Sequence, residues 1–349
     1  MESVAVVGGV DTHGAIHHAA VLDMIGRRLG DREFPASESG YASMLGWMKT
    51  FGTLETVGIE GTGSYGAGLA RHLHRADVAI VEVPRPDRRT RRQVGKSDPI
   101  DAEVAARAVL AGTKTTSPKL ATGAVESIRM LRVARTGAVK AKTAAINTLR
   151  AIVITSPEPL RSQLRGMSRV GLVNTCRRLR PELDSLSEPL QAAKATLHTV
   201  AERAFVLAAE AEQLEQQMAR VLAVAAPATT RVFGLGTDTA AALIASVGDN
   251  PDRLRSEAAL ARMAGVAPIP ASSGQTKRHR LHRGGDRSAN QALHVAVIVR
   301  LRYCKRTQAY AARRRAEGLS SLEIIRCLKR YLAREVFGAL RSDFLALSA

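Results

Sequence analysis

Cysteine is scarce: Cys176, Cys304 and Cys327 are the three in 349 residues, far apart and in no CxxC pair. A disulfide framework and a zinc site of the usual spacing are thereby excluded, and a reducing compartment fits. Aromatic residues make up 3% of the chain, too few for extensive base stacking along a single strand. No apolar run approaches the roughly 18 residues that a membrane span needs. The opening MESVAVVGGVDTHG has no basic stretch followed by a long apolar one, so no signal peptide is expected there. These absences lead us to expect a cytoplasmic protein without membrane association. Acid is also in deficit, with 32 Asp and Glu against 51 Lys and Arg, a formal net charge of +19. Such an excess concentrates polyanions at the surface and favours phosphate contacts through counterion release. Zinc-finger, RRM and basic-zipper signatures are all missing.

Hydrophobic residues reach 45%, which permits a sizeable core and excludes wholesale disorder. The length suffices for two compact domains plus connecting helices. Over the first ~115 residues, strand and helix signals alternate. Strands are expected at 4–10, 19–23 and 30–34, then at 56–60 and 78–83. Helices are expected at 40–49 and 65–76. Three β runs followed by αβαβα describe a mixed sheet with helices on its faces, an α/β domain. From 118 to 225 the strand signal vanishes. Long helices are expected at 125–153 and 190–222, the second with Leu197, Val200, Ala204, Leu207, Ala211, Leu214, Met218 and Val221 at the spacing of a coiled-coil seam. Such a face needs a partner, and the pattern favours a hairpin that is intermolecular or spans domains. The remainder reads as helices at 240–247, 254–264, 289–302 and 322–340, with an irregular basic loop at 265–287. The Gly234-Leu-Gly236 turn before the first of these can aim backbone amides at a phosphate. The expected division is 1–117, 118–227 and 228–349: an α/β domain, a helical coiled-coil region and a mostly α-helical C-terminal domain.

Four acids carry the chemical signal. Asp11 ends the first strand before Thr12-His13-Gly14, and Glu60 ends the next central strand before Gly61-Thr62-Gly63. Asp98 and Asp101 open a helix, three residues apart and so on one face. An RNase H-like nuclease fold needs acids at such places. Hard oxygen donors converging at the strand ends of an α/β sheet suit Mg²⁺ and phosphoryl transfer. A structural account competes: Asp98 before Pro99 makes a good N-cap, and Asp101 favours the helix dipole. An acid ending an apolar strand, however, is costly unless paired or metal-bound.

Gly9-Val10-Asp11-Thr12-His13, Gly58-Ile59-Glu60-Gly61-Thr62-Gly63-Ser64-Tyr65 and Lys96-Ser97-Asp98-Pro99-Ile100-Asp101-Ala102 together resemble the DEDD motif of a transposase family of bacterial insertion sequences. That family is related to the Piv and MooV invertases, and its N-terminal domain resembles the Holliday-junction resolvase RuvC. The stretch from Leu260 to Gly274, with Pro268 and Pro270 ahead of Ser272-Ser273-Gly274, resembles the family's C-terminal domain with its nucleophilic serine. Carried over by the Ser-Gly pair, the motif selects Ser273, with Ser272 the alternative. A second Gly soon after Gly274 is missing, and Arg283-Gly284-Gly285-Asp286 stands where many relatives carry Lys-x-Gly. The resemblance implies a DNA recombinase with Mg²⁺ on Asp11, Glu60, Asp98 and Asp101 and a covalent phosphoserine intermediate. It also implies a structured noncoding guide RNA as partner.

Residues independently support a polyanion surface. Positions 84–96 (PRPDRRTRRQVGK) hold six Lys or Arg against one acid, among them Arg88, Arg89, Arg91, Arg92 and Lys96. Lys277, Arg278, Arg280 and Arg283 follow the serines, where they can neutralise charge developing on a transferring phosphoryl group. A third cluster at 300–315 includes Tyr303 and Tyr310, aromatic faces on which bases can stack. The helical seam adds the expectation of a homo-oligomer. A serine so distant in sequence from the acids implies a site assembled between domains or subunits.

Overall fold

The computed structural model describes residues 4–83, 97–112, 116–250, 255–271 and 279–348. Its N-terminal part is the expected mixed sheet: β1 (Ala5–Thr12), β2 (Ile16–Asp23), β3 (Arg28–Pro35), β4 (Thr53–Glu60) and β5 (Ala79–Val83), in the order β3-β2-β1-β4-β5. β1, β2 and β3 form an antiparallel meander, while β4 and β5 run parallel to β1. Helices α1 (Glu38–Lys49), α2 (Ala67–Arg75) and α3 (Asp98–Leu110) complete the layers.

Period-two alternation sorts the side chains of the central strands. Val6, Val10, Val57 and Ile59 point to one face, where they share a core with Met44 and Met48 of α1 and Leu69 and Leu73 of α2. Val7 lies on the other face in a smaller cluster with Leu22 and with Ala106 of α3. Gly9 and Asp11 follow Val7 on that second face, and Gly58 and Glu60 share it. A register slip of one residue would carry both acids to the opposite side.

α3 reaches this face because side chains are missing from it. Gly9 and Gly58 are register partners on β1 and β4. A Cβ at Gly9 would lie 2.2 Å from the Ala102 carbonyl and the Ala106 amide, and one at Gly58 would lie 2.8 Å from the Ala105 carbonyl. The helix answers with its own small residues: Ala102, Ala105 and Ala106 are buried.

By their contacts the residues divide into two compact units. The first comprises Met1–Glu126, Ile244–Asp286 and Ala333–Phe344; the second comprises Ser127–Leu243, Arg287–Leu332 and Leu345–Ala349. The three consecutive segments read from the sequence are thus redistributed in space. In the first unit, the Asp249 carboxylate accepts from the backbone amides of Leu120 and Thr122 at 2.9 and 2.7 Å. Lys119 donates to the Ala245 carbonyl at 2.8 Å. Arg334 forms two bonds, 2.7 and 3.2 Å, with Glu257.

The second unit is helical, as expected. α4 (Gly123–Thr155), α5 (Leu160–Leu164), α6 (Arg169–Cys176) and α7 (Pro189–Ala225) share one core, in which Leu149 and Val153 meet Leu172, Leu197, Ala201 and Ala204. The N-terminal half of the seam on α7 is therefore covered by helices of its own chain; each fully buried Leu adds about 2 kcal/mol. Leu207 and Leu214 are half-buried. Arg135 of α4 ties to Glu215 of α7 at 2.7 Å and to Asp238 at 3.1 Å.

Further along come α8 (Pro227–Thr230), α9 (Thr237–Val247) and α10 (Glu257–Met263). The Gly234-Leu-Gly236 turn does not offer its amides to a phosphate. The Leu235 amide donates to the Val232 carbonyl and the Gly236 amide to the Thr239 hydroxyl. Gly234 is needed because its φ is +92° and a Cβ would press on the Ala296 carbonyl at 2.8 Å. The segment read as an irregular loop contains a two-residue ladder of β6 (Ile269–Pro270) and β7 (His279–Arg280). α11 (Arg287–Tyr303), α12 (Lys305–Ala316) and α13 (Ser321–Ser348) end the chain. Tyr303 is exposed, as base stacking would require. Tyr310 instead packs edge-on against Tyr331 at 5.6 Å, and burial pushes its hydroxyl up to about 12. Its ring is half-buried, with the Arg313 guanidinium 5.5 Å from its centroid.

Two predictions concern this fold. Gly9→Ala should force α3 off the sheet and cost roughly 1–3 kcal/mol or more, read by urea denaturation. His17 is fully buried, and burial holds its pKa below the usual 6.5. The unfolded chain therefore takes up a proton that the folded chain refuses. The stability due to neutral His17 is complete above about pH 6.5 and is lost as the pH falls towards the folded-state pKa. Unfolding free energies measured from about pH 7.5 down to about pH 5 should fall more steeply for the native chain than for His17→Gln.

Candidate functional site

β1 and β4 end at the same edge of the sheet. The last parallel pair is Val10 with Ile59, so Asp11 and Glu60 each stand one residue beyond it. The buried Thr12 hydroxyl fastens the two ends by donating to the Glu60 carbonyl at 2.7 Å. Directly after Glu60, Gly61 turns the chain with φ +72°, and its carbonyl accepts from the Ser64 amide at 2.9 Å.

α3 begins at this edge. Ser97 occupies its N-cap position without a side-chain cap bond, and Asp98 and Asp101 both lie in its first turn. Asp98 is therefore no N-cap, and its carboxylate is left available for the site. Both acids still oppose the positive end of the helix dipole.

The structure brings Asp11 and Asp98, separated by most of the α/β domain in sequence, to one point. His13 stands between them: its Nε2 lies 3.1 Å from Asp11 Oδ2 and 3.5 Å from Asp98 Oδ1. One donor atom from each of the three residues falls within 4.8 Å of the others. Glu60 and Asp101 are buried at 7% and 8% exposure but lie outside this closest group. The Asp11 side chain is 8% exposed, against 47% for Asp98 and 50% for His13. The site is thus a buried acid open to solvent on one side.

A divalent ion fits these residues. Among the described residues, Asp11 and Asp98 are met by the His13 ring, Asp11 through a 3.1 Å hydrogen bond, and by no Lys or Arg. A buried carboxylate without a fixed cation is costly unless an ion supplies the charge. The buried Thr62 hydroxyl, two residues past Glu60, also lacks a hydrogen-bond partner.

His13 was not singled out by the sequence, where Thr12-His13-Gly14 reads simply as a turn. The one available signal was its position two residues after Asp11. Its backbone amide donates to His17 Nδ1 at 3.3 Å, so His17 presents a lone pair there. The His17 ring stacks on Tyr41 with centroids 5.6 Å apart and 8° between planes.

Ser272, Ser273, Lys277 and Arg278 lie outside the described residues, as do Arg88, Arg89, Arg91, Arg92 and Lys96. What frames the serine segment is described. β6 and β7 pair on either side of it. Below them Gly265 and Gly285 approach so closely that a Cβ at Gly285 would lie 2.3 Å from Gly265 Cα. Arg280 and Arg283 are exposed. The frame belongs to Ile244–Asp286, grouped in the same compact unit as the four acids.

The mixed sheet thus carries acids at the ends of its central strands and at the start of a crossing helix. A sequence profile described as Transposase, for the DEDD proteins of IS110, matches residues 8–155. A second, described as Transposase IS116/IS110/IS902 family, matches residues 227–312. The chain belongs to this transposase family. One curated relative is the "Insertion element IS110 uncharacterized 43.6 kDa protein" of Streptomyces coelicolor. It is 33% identical over 117 residues, a stretch that makes up 33% of this chain and 28% of that protein. The chain therefore matches less than a third of that relative's length. Among the described residues, no helix is long and apolar enough to cross a membrane.

If the acids bind a divalent ion, Asp11→Asn should abolish the rise in melting temperature produced by added Mg²⁺ or Mn²⁺. The metal-free protein should melt at or above the native temperature, because a buried charge has been removed. Differential scanning calorimetry with and without metal reads both effects.

Proposed function

We propose that this chain is a DNA transposase that cuts and rejoins DNA through a serine nucleophile and divalent-metal chemistry. The observation that carries the reading is the meeting of Asp11 with Asp98 at the open edge of the sheet, in a chain of a transposase family. Asp11, Glu60, Asp98 and Asp101 hold Mg²⁺, for which carboxylate oxygens are the preferred donors. When bound, the ion neutralises charge developing on the transferring phosphoryl group.

Ser273 attacks a DNA phosphodiester, with Ser272 the alternative. Its Oγ–P bond forms as the bond from phosphorus to one sugar oxygen breaks, and the proton lost by the serine ends on the departing oxygen. The reverse reaction, with the hydroxyl of another strand attacking the phosphoserine, reseals DNA without an external energy source. Arg280, Arg283, Lys277 and Arg278 receive the phosphate, and the run containing Arg88, Arg89, Arg91, Arg92 and Lys96 tracks the backbone ahead of Asp98. A structured noncoding RNA that pairs with donor and target DNA supplies sequence choice, since the chain carries no base-reading motif of its own. The exposed Val206 and Val224 of α7 support assembly into a homo-oligomer.

The test is a covalent protein–DNA adduct that survives boiling in detergent and disappears on protease treatment. It should form with the native chain and Mg²⁺, vanish in Ser273→Ala, and persist in Ser272→Ala. Loss in Ser272→Ala alone moves the nucleophile by one position. DNA cutting without an adduct in any variant would replace the serine mechanism by that of a metal-only nuclease.

A further inference from the structure

We infer that His13 is a further ligand of the same ion that Asp11 and Asp98 hold, so that this site has a nitrogen donor and accepts Mn²⁺ more readily, relative to Mg²⁺, than the carboxylates alone would. The inference rests on the reading of these acids as a divalent-metal site and goes beyond it in the donor set and the choice of ion.

Three observations carry it. The first is distance. Cis donors of an octahedral ion with bonds near 2.1 Å are about 3.0 Å apart. His13 Nε2 stands 3.1 Å from Asp11 Oδ2 and 3.5 Å from Asp98 Oδ1, close to such edges, and all three donor atoms lie within 4.8 Å of one another. The shorter contact is a hydrogen bond, and donors held at this spacing need little movement to chelate an ion.

The second is orientation. His13 sits in the tight turn between β1 and β2, and its amide is bonded to His17 Nδ1 at 3.3 Å. His17 is itself fully buried and stacked on Tyr41. The backbone that aims the His13 ring is therefore braced from inside the core, while the ring stays half-exposed where a hydrated ion can enter. His17 acts as a positioning residue.

The third is chemistry. An imidazole nitrogen is a better donor to first-row transition ions than to Mg²⁺, which dehydrates reluctantly and favours oxygen. The carboxylates keep the site hard enough for Mg²⁺, and the added imidazole raises its affinity for Mn²⁺ relative to an all-oxygen set. The open side of the site would admit water and substrate phosphate oxygens to the ion.

The experiment uses the full chain with Mn²⁺ alone as probe and pulsed electron paramagnetic resonance as readout. A histidine nitrogen bound to Mn²⁺ gives a ¹⁴N coupling, which changes when histidine is labelled with ¹⁵N. The native chain should show the coupling. His13→Gln should lose it while still binding Mn²⁺, and the ratio of Mn²⁺ to Mg²⁺ affinity should fall about tenfold. Mn²⁺ that binds in an Asp11-dependent way without nitrogen coupling would overturn the inference and leave the carboxylate site standing. A coupling that persists in His13→Gln would also overturn it. Mn²⁺ binding that is indifferent to Asp11→Asn would overturn both the inference and the site on which it rests.

Discussion

The close approach of α3 to the central strands is the constraint on which the site depends. Gly9 and Gly58 sit side by side on β1 and β4, and the carbonyls of Ala102 and Ala105 occupy the space their side chains would need. With any larger residue the helix would ride higher on the sheet, and its first turn would no longer meet the strand ends. The same contact hides Ala105 and Ala106 and leaves the acids at the rim. Packing and chemistry are here one arrangement, since the groove that accepts the helix sets where Asp98 arrives.

Around that contact the other elements act as braces. The Thr12 hydroxyl locks the end of β1 to the Glu60 carbonyl, and Gly61 turns the chain away immediately afterwards. On the opposite face, Met44, Met48, Leu69 and Leu73 bury the apolar half of the strands. That burial fixes the register, and the register fixes which face the acids occupy. His17 belongs to the buried face with Tyr41, yet reaches the turn that bears His13. The apolar side of the sheet thus influences the polar side through two side chains.

The grouping of Ile244–Asp286 with the N-terminal domain changes how the serine segment is regarded. Read along the chain, the serine belongs to a helical domain remote from the acids. In space its frame is anchored beside the end of the α/β domain, through Asp249 to Leu120 and Thr122 and through Lys119 to Ala245. One compact unit therefore supplies both the carboxylates and the support of the candidate nucleophile, while the long helices of α4 and α7 form a core of their own.

Much of this was legible in the sequence, and the limit has a physical cause. Alternation of apolar and polar residues is a local property, so the strands, the long helices and the placement of Asp11 and Glu60 at strand ends could be read from it. The Asp98-Pro99-Ile100-Asp101 spacing likewise marked a helix start. Local pattern cannot tell which small residues face each other. The pairing of Gly9 with Gly58 beneath Ala102 and Ala105 emerged only when strand register and helix docking were set together. Nor can it rank polar residues by convergence. His13 looked like part of a turn until tertiary folding placed Asp98 3.5 Å from its ring, and the seam on α7, which read as an intermolecular or domain-spanning surface, has α4 and α6 of its own chain against its first half. What a residue tends to form is written in its neighbours along the chain, and what it meets is decided by packing across it.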